Sequence, residues 1–233
     1  MPDDRELAGL HWPDIGKPTV IVPVGSLEQH GPHLPLDTDT RIAAAVAESL
    51  SSRASGDVVV APALAYGASG EHEGFAGTIS LGHEALERIL VEYGRSACRW
   101  AARILFVNGH GGNGPALVKA VPLLRYEGRD AAWLPCAIPG ADAHAGRAET
   151  SLLLHLSPGK VRLDRAEPGN LNPIASLMPS LREGGMVAVS ANGVLGDPMG
   201  ASADEGTHLF EGLLTSVEEA VARWQPGDDG RLR

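Results

Sequence analysis

The feature that most restricts the fold of this chain is a regular alternation of short apolar runs with amphipathic segments. The apolar runs have the length and the Val, Ile and Leu content of buried strands, and they cover residues 19–24, 57–64, 103–107 and 129–138. Segments with helical periodicity cover residues 41–53, 83–102, 115–127 and 202–224. The alternation predicts an α/β fold in which a mostly parallel sheet is covered on both faces and ligands bind beyond the carboxyl ends of the strands.

The length and composition of the chain favour one domain. The chain has 233 residues, 43% of them hydrophobic, which is enough to build a substantial core. We expect a single domain over residues 1–224 and a flexible tail at 225–233. Residues 159–202 have the weakest periodicity, and their Gly and Pro pairs are compatible with either a covering flap or additional strands.

The charge and the cysteines limit the partners that the protein can have. A formal net charge of -10 without a local Lys/Arg cluster argues against a nucleic-acid partner. A signal segment and an apolar run of membrane-spanning length are both absent from the sequence, so no membrane partner is expected. Cys98 and Cys136 lack CxxC spacing, which is typical of a reducing compartment. These features predict a cytoplasmic protein.

The turn after the first apolar run, residues 25–39, contains an unusual number of charged groups. In an extended segment Glu28 and His30 face the same side, while Gln29 faces the other. Buried charges need partners or a metal ion, and a divalent cation would supply a partner for the ionisable residues of this turn, which are Glu28, His30, His33, Asp37 and Asp39. The alternative is a polar surface loop.

A second unusual turn, residues 108–114, joins the third apolar run to the helix that follows. Its distinctive member is His110, and its glycines allow the backbone to pass close to a bound ion or substrate. A phosphate-binding loop is the first alternative, but neither GxGxxG nor GxxxxGK[ST] is present. Because both turns follow strands, they are expected to meet at the same edge of the sheet.

Two further segments contain groups that could join this site. Residues 66–81 form a long Gly-rich loop with Glu71 and His72, which is either functional or a charged, solvated hairpin. His144 and Glu149 lie about one helical turn apart and can share a face if the segment between them is partly helical. A sharp loop would also bring them together.

Four segments, taken in order, together resemble the creatininase (creatinine amidohydrolase) family. They read GSLEQHGPHLPLDTD at 25–39, GEHEGFAGTIS at 70–80, NGHGGN at 108–113 and HAGRAET at 144–150. The resemblance extends over about residues 5–224. It implies a creatininase-like metallohydrolase domain, built as a three-layer α/β/α sandwich, with a binuclear metal centre that hydrolyses an amide-type C–N bond.

The resemblance also assigns roles to individual residues. It implies that Asp39 bridges two divalent metal ions whose ligands are Glu28, His30, Asp39, His110 and Glu149. Oxygen and nitrogen ligands without thiolate suit Zn²⁺, Mn²⁺ or Fe²⁺, and a shared carboxylate is usual for ions about 3.5–4 Å apart. His144 is expected to act with Glu149 in catalysis by passing a proton to the leaving nitrogen, and its alternative role is structural.

The expected substrate follows from details of the resemblance. The short chain and residues 70–81 are most similar to a branch of peptidases that remove a dipeptide from the end of a modified precursor peptide. Gly112 stands where creatinine-hydrolysing members have Glu, which is expected to leave more room beside the ions. We expect a small modified peptide as substrate, with Glu71 and His72 lining its cleft, in a homo-oligomer. The alternatives are creatinine, a small formamide, or a non-catalytic metal- or partner-binding domain.

Overall fold

The computed structural model describes residues 5–233, and within that range four strands form one parallel sheet. The strands are β1 (Thr19–Val24), β2 (Val58–Val60), β3 (Arg103–Asn108) and β4 (Ala131–Pro135). Their order is β2-β1-β3-β4, and every neighbouring pair is parallel. The central strands are apolar along most of their length because both faces of the sheet are covered.

Helices cover the two faces of the sheet. They are α1 (Thr38–Arg53), α2 (His83–Ala97), α3 (Gly114–Tyr126), α4 (Arg147–Leu156), α5 (Ile174–Gly184) and α6 (Ala203–Arg223). Helices α1, α4 and α6 share one buried cluster with the sheet, which includes Val46, Leu153 and Leu214. Helices α2 and α3 form the other cluster through Leu90 and Leu117. The predicted three-layer α/β/α architecture is therefore confirmed.

The strand order creates a crevice at the carboxyl ends of β1 and β3. The chain leaves β1 through α1 on one face, and α2 and α3 lie on the other face, so the winding reverses between β1 and β3. Such a reversal point is where ligands bind in open α/β sheets. Gly25 lets α1 begin directly against the end of β1, because a Cβ there would lie 2.5 Å from the Cα of Thr40.

Several element boundaries differ from the prediction. The second and fourth strands are shorter than residues 57–64 and 129–138, and α2 ends at Ala97 rather than at 102. Residues 159–202 form α5 and short 3₁₀ turns, and Leu177, Met186 and Leu195 pack in a small cluster with Phe75. This segment therefore lies against the 66–81 loop. None of the helices between residues 5 and 233 is long and apolar enough to cross a bilayer.

The prediction of a flexible tail at 225–233 was wrong. Leu232 is 3% exposed and joins the buried cluster beneath α6. The backbone N–H of Trp133 donates to Gly230, and that of Leu232 donates to Trp133, so the segment lies along the outer edge of β4. This contact could not be predicted from the sequence, because Leu232 follows a polar run and a single apolar residue forms no periodic pattern. At the opposite edge, the N–H of Val60 in β2 donates to the carbonyl of Arg5.

Candidate metal centre

The five predicted ligands lie together in the crevice at the carboxyl ends of β1 and β3. Glu28 and His30 follow β1, and His110 follows β3. Asp39 is in the first turn of α1, and Glu149 is in the first turn of α4. The first four are buried, whereas the Glu149 side chain is 25% exposed. Four separate segments of the chain therefore converge on one point.

Asp39 stands between two groups of possible ligand atoms. Its Oδ1 is 3.2 Å from Nε2 of His30, and its Oδ2 is 3.2 Å from Nδ1 of His110. Ser26 orients the carboxylate by donating its hydroxyl to Oδ2 at 2.6 Å. Three overlapping groups in the described part of the chain could hold an ion, with ligand atoms within 4.8 Å of one another: Glu28, Asp39 and His110; His30, His144 and Glu149; and Glu28, His72 and His144.

Main-chain carbonyls set the tautomers of His30 and His110. His30 donates Nδ1–H to the carbonyl of Glu28 at 3.2 Å, and His110 donates Nε2–H to the carbonyl of Ala68 at 3.1 Å. A carbonyl oxygen can only accept, so in each neutral ring the other nitrogen has the lone pair. That nitrogen faces Asp39 in both cases. This is how metal-binding histidines are usually held.

The donor set fits divalent cations. Both carboxylate oxygens of Glu28 are buried and lack a hydrogen-bond partner among the described residues, although Nδ1 of His110 lies 3.1 Å away. The lone pair on Nδ1 of neutral His110 would repel the carboxylate of Glu28 unless a proton or a cation lies between the two groups. Oxygen and imidazole ligands without thiolate suit Zn²⁺, Mn²⁺ or Fe²⁺.

In the absence of a metal ion, His30 and His110 hold protons in the space beside Asp39 that an ion would fill. Burial alone would lower the pKa of His30, but Asp39, with Glu149 and Glu28, raises that pKa to about 10. Burial also opposes protonation of His110, yet Glu28 and Asp39 hold its pKa well above the ordinary value. Burial raises the pKa of Glu149 to about 7 against the attraction of His30. The centre is thus built to accept positive charge.

Two further histidines, His144 and His72, line the crevice in their neutral form. The ring of His144 lies 4.3 Å from that of His30 and 4.5 Å from that of His72, between centroids. Burial, with His30 and His72 nearby, holds the pKa of His144 well below its ordinary value, and burial lowers the pKa of His72 as well. Nε2 of His72 is 3.4 Å from Oε1 of Glu28. Both histidines belong to candidate metal-binding groups, since His72 and His144 form one with Glu28.

Glu71 lies next to His110, on the side away from Asp39, and it occupies the space beside Gly112. The carboxylate of Glu71 is 3.6 Å from Nε2 of His110, on the ring edge opposite Asp39. A Cβ on Gly112 would lie 2.3 Å from that Nε2, 2.5 Å from the carbonyl oxygen of Ala68 and 2.7 Å from Oε1 of Glu71. The expectation that Gly112 leaves more room was wrong, because the 66–81 loop fills the space.

Two residues that assemble the site, Gln29 and Asn113, were not predicted from the sequence, and His33 was predicted only as one of the ionisable groups of the first turn. Asn113 accepts from the N–H of Ala68 at 2.8 Å and donates to the carbonyl of Gly25 at 2.9 Å, which joins three loops. His33 donates to the hydroxyl of Thr150 at 2.9 Å, and burial lowers the pKa of His33 to about 4. Gln29 does not face away, since its side chain contacts His72 and His144. The only sequence signal for Asn113 and Gln29 was their place inside the two charged turns.

The fold and the site define the class of the protein. A parallel α/β domain places carboxylate and imidazole groups at the ends of its central strands, and a sequence model described as creatinine amidohydrolase matches residues 8–221. The protein is thus an amidohydrolase-type enzyme. More particularly, the chain belongs to the creatininase family.

Known proteins of this family resemble the chain over most of its length. It is 61% identical over 219 residues to the mycofactocin precursor peptide peptidase of Mycolicibacterium smegmatis, covering 92% of this chain and 89% of that protein. It is 30% identical over 238 residues to the creatinine amidohydrolase of Pseudomonas putida, covering 88% and 89%. The solved structure of creatininase with Mn has a TM-score of 0.78 at 26% identity, covering 96% of this chain and 99% of that one.

Proposed function

We propose that the chain is a metal-dependent peptidase that releases a C-terminal dipeptide from the modified mycofactocin precursor peptide. The observation behind this proposal is the position of Asp39, with one carboxylate oxygen toward His30 and the other toward His110. The substrate is inferred from the 61% identical relative. The reaction would take place in the cytoplasm, where two unpaired cysteines are usual.

The residues present would hold two divalent ions. Glu28, Asp39 and His110 would bind one, and His30, Asp39 and Glu149 the other. Zn²⁺, Fe²⁺ and Mn²⁺ all suit these donors, and the similar creatininase structure is described with Mn. When bound, such a pair supplies an activated water and polarises the amide carbonyl.

The remaining residues of the crevice would act on the peptide itself. His144 is neutral and lies in the same cluster as His30 and Glu149, so it would take a proton at one ring nitrogen and pass it to the departing amine. Glu149 is the most exposed of the five proposed ligands, which puts it at the opening toward substrate. Glu71 and His72 would line the peptide cleft from the 66–81 loop.

Creatinine and small formamides are weaker candidates as substrate. The creatinine amidohydrolase of Pseudomonas putida is only half as similar as the peptidase, at 30% against 61% identity. The space beside Gly112, where creatinine-hydrolysing relatives have Glu, is filled by Ala68 and Glu71. A creatinine site would therefore need a different arrangement of the 66–81 loop.

The proposal is tested with metal-loaded protein, the synthetic modified precursor peptide and creatinine, with products followed by mass spectrometry. We expect release of a C-terminal dipeptide, loss of that activity with a chelator, and recovery when metal is returned. About two ions per chain should be present by elemental analysis.

Two paired variants sharpen the test. Asp39→Asn should lose bound metal, and its control is Asp164→Asn, whose side chain is 66% exposed. His110→Ala should lose peptidase activity, while the exposed His208→Ala keeps it. Turnover of creatinine alone, or full activity in metal-free protein, would refute the proposal.

A further inference from the structure

The side-chain amide of Gln29 lies at the centre of a buried hydrogen-bond network. Its orientation is settled by two main-chain groups. The N–H of Gly31 can only donate and is 2.8 Å from Oε1, and the carbonyl of Gly193 can only accept and is 3.0 Å from Nε2. The two ends of the amide are therefore assigned from the hydrogen-bond network.

The main chain of the same residue fixes the proton of His144. Nε2 of His144 is 2.9 Å from the carbonyl oxygen of Gln29, which cannot donate, so that nitrogen has the hydrogen. The amide nitrogen of Gln29 lies 3.1 Å from Nε2 of His144. It cannot donate a hydrogen bond there, because Nε2 already has a hydrogen and offers no lone pair. Nδ1 of His144 makes no hydrogen bond to any residue in the range 5–233, and it is the proton-accepting atom of the neutral ring.

The second hydrogen of the Gln29 amide is left for His72. One amide hydrogen is taken by Gly193, and Nδ1 of His72 lies 2.9 Å from the same amide nitrogen. His72 must accept there, so its own hydrogen is on Nε2, the atom 3.4 Å from Oε1 of Glu28. For neutral rings, any other arrangement of the protons leaves either the Gln29 carbonyl or Nδ1 of His72 without a partner.

We propose that Gln29 is a positioning residue that fixes the tautomers of His144 and His72, so that His144 offers Nδ1 as its base and His72 directs Nε2–H at Glu28. The assignment of protons stands on the geometry alone, and its use in catalysis rests on the proposed peptidase function. In that reaction a C–O bond forms to water and the amide C–N bond breaks. The proton of the water passes to Nδ1 of His144 and then to the amine.

The backbone around Gln29 shows that the space is shaped for this side chain. Gly193 has φ +75°, and a Cβ there would lie 2.0 Å from Oε1 of Gln29. Gly31 has φ +64°, and a Cβ there would lie 2.6 Å from Cγ2 of Val194. Two left-handed glycines thus let the 186–196 segment close on the amide. That segment becomes part of the site through Gln29.

The direct test is long-range ¹H–¹⁵N correlation NMR of zinc-loaded protein labelled with ¹⁵N-histidine. The signals of His144 and His72 are assigned from His144→Gln and His72→Gln. Both rings should show a pyridine-type Nδ1 and a pyrrole-type Nε2. A pyrrole-type Nδ1 on His144 in the unmodified protein would overturn the proposal, and this measurement requires neither substrate nor a Gln29 variant.

Gln29→Met tests the role of the amide, because methionine has similar length and cannot donate. We expect mixed tautomers at His72, a kcat on the modified precursor peptide lower by about tenfold or more, a KM within about twofold, and unchanged zinc content. The control is Gln225→Met, the same change at an exposed position, with wild-type spectra and kinetics. Unchanged tautomers in folded Gln29→Met would refute the role of Gln29. Expected tautomers in a protein that leaves the precursor peptide uncut would refute only the proposed function.

Discussion

At the scale of single residues, one rule describes three histidines of the centre. His30, His110 and His144 each donate one ring N–H to a main-chain carbonyl, those of Glu28, Ala68 and Gln29 respectively. Main-chain carbonyls cannot change their protonation, so each ring, when neutral, has its lone pair on a defined nitrogen. The tautomers are therefore set by the course of the backbone, and the glycines that allow this course matter as much as the rings.

The first prediction concerns Gly112. In Gly112→Ala the new methyl group would meet Nε2 of His110 at 2.3 Å and the carbonyl of Ala68 at 2.5 Å, which must break the bond between them. Loss of such a supporting bond typically lowers metal affinity by about 10–100-fold. Competition with a chromogenic chelator measures this. Gly111→Ala is the control, because no atom lies within 4 Å of a Cβ there; an equal loss in both variants would contradict the explanation.

The sequence predicted only some of the candidate site residues. The i, i+2 spacing of Glu28 and His30 and the isolated His110 were visible because their chemistry is local to a turn. The roles of Gln29, His33 and Asn113 depend on partners distant in the chain: His144 is 115 positions from Gln29, Thr150 is 117 from His33, and Gly25 is 88 from Asn113. Spacing within a turn contains no information about such partners.

At the scale of elements, the contact between α4 and α6 holds Glu149 in place. The two helices approach closely at Gly206, where a Cβ would lie 1.9 Å from the carbonyl oxygen of Ser151. Ser151 is two residues after Glu149 in α4, and its hydroxyl donates to Glu205 of α6 at 2.9 Å. We therefore expect a displacement of α6 to move Glu149, in the candidate metal centre, through α4.

The second prediction compares two glycines of α6. Gly206→Ala should force α4 and α6 apart and destabilise the fold by about 1–3 kcal/mol, as overpacking does. It should also weaken metal binding, because Glu149 moves with α4. Gly212→Ala meets no atom within 4 Å and should stabilise the helix by about 0.5–1 kcal/mol. Urea unfolding and elemental analysis measure both, and a more stable Gly206→Ala would disprove the close contact.

The elements with strong periodicity were predicted well, and the weakly periodic one was not. Helix α2 buries a regular stripe that includes Leu86 and Leu90, and its existence and position could be predicted. Helix α5 buries only Leu177 among the residues of 174–184, so it has no stripe to recognise. It is held instead by contacts with the 66–81 loop, including the cluster of Leu177 with Phe75. Tertiary contacts of this kind leave no periodic pattern.

At the scale of the whole molecule, the sheet is closed at both edges by segments outside its strands. The mostly parallel arrangement and the two covered faces could be predicted from the alternation of segments, whereas the strand order could not. The covered edges could not be predicted, because each depends on one or two residues: Arg5 and Glu6 beside β2, and Arg231 and Leu232 beside β4. We expect this closure to contribute to the stability of the fold.

The third prediction tests this closure through Leu232. Leu232→Ala removes a side chain that is 3% exposed and packed beneath α6, and it should cost about 2–5 kcal/mol in the free energy of unfolding. The matched control is Leu171→Ala, since Leu171 is 67% exposed and its loss should change stability by about 0.5 kcal/mol or less. Urea titration followed by circular dichroism compares them. Equal urea midpoints for the two variants would indicate that Leu232 does not contribute to the core, as expected of a flexible tail.

The fourth prediction concerns assembly. Apolar side chains project from the loops that surround the crevice, with Tyr66 46% exposed, Ile79 51% and Val187 50%. Exposed apolar groups concentrated in one region usually mark an interaction surface. We expect a homo-oligomer larger than a dimer, measured by light scattering at micromolar concentration. Ile79→Glu should dissociate it, and Ile89→Glu, at a 38% exposed position on α2, is the control; a stable monomer in the unmodified protein would contradict the expectation.

The edge contact of β4 also has a consequence for the order in which the protein is made. Translation delivers the partner of β2 first, since Arg5 precedes all four strands, but it delivers the partner of β4 last. A chain that lacks residues 226–232 contains all four strands but leaves the outer edge of β4 without its partner. Such an open edge can pair with other chains. We therefore expect partial chains that end before residue 226 to aggregate more readily than chains that include Leu232, in which this edge is covered.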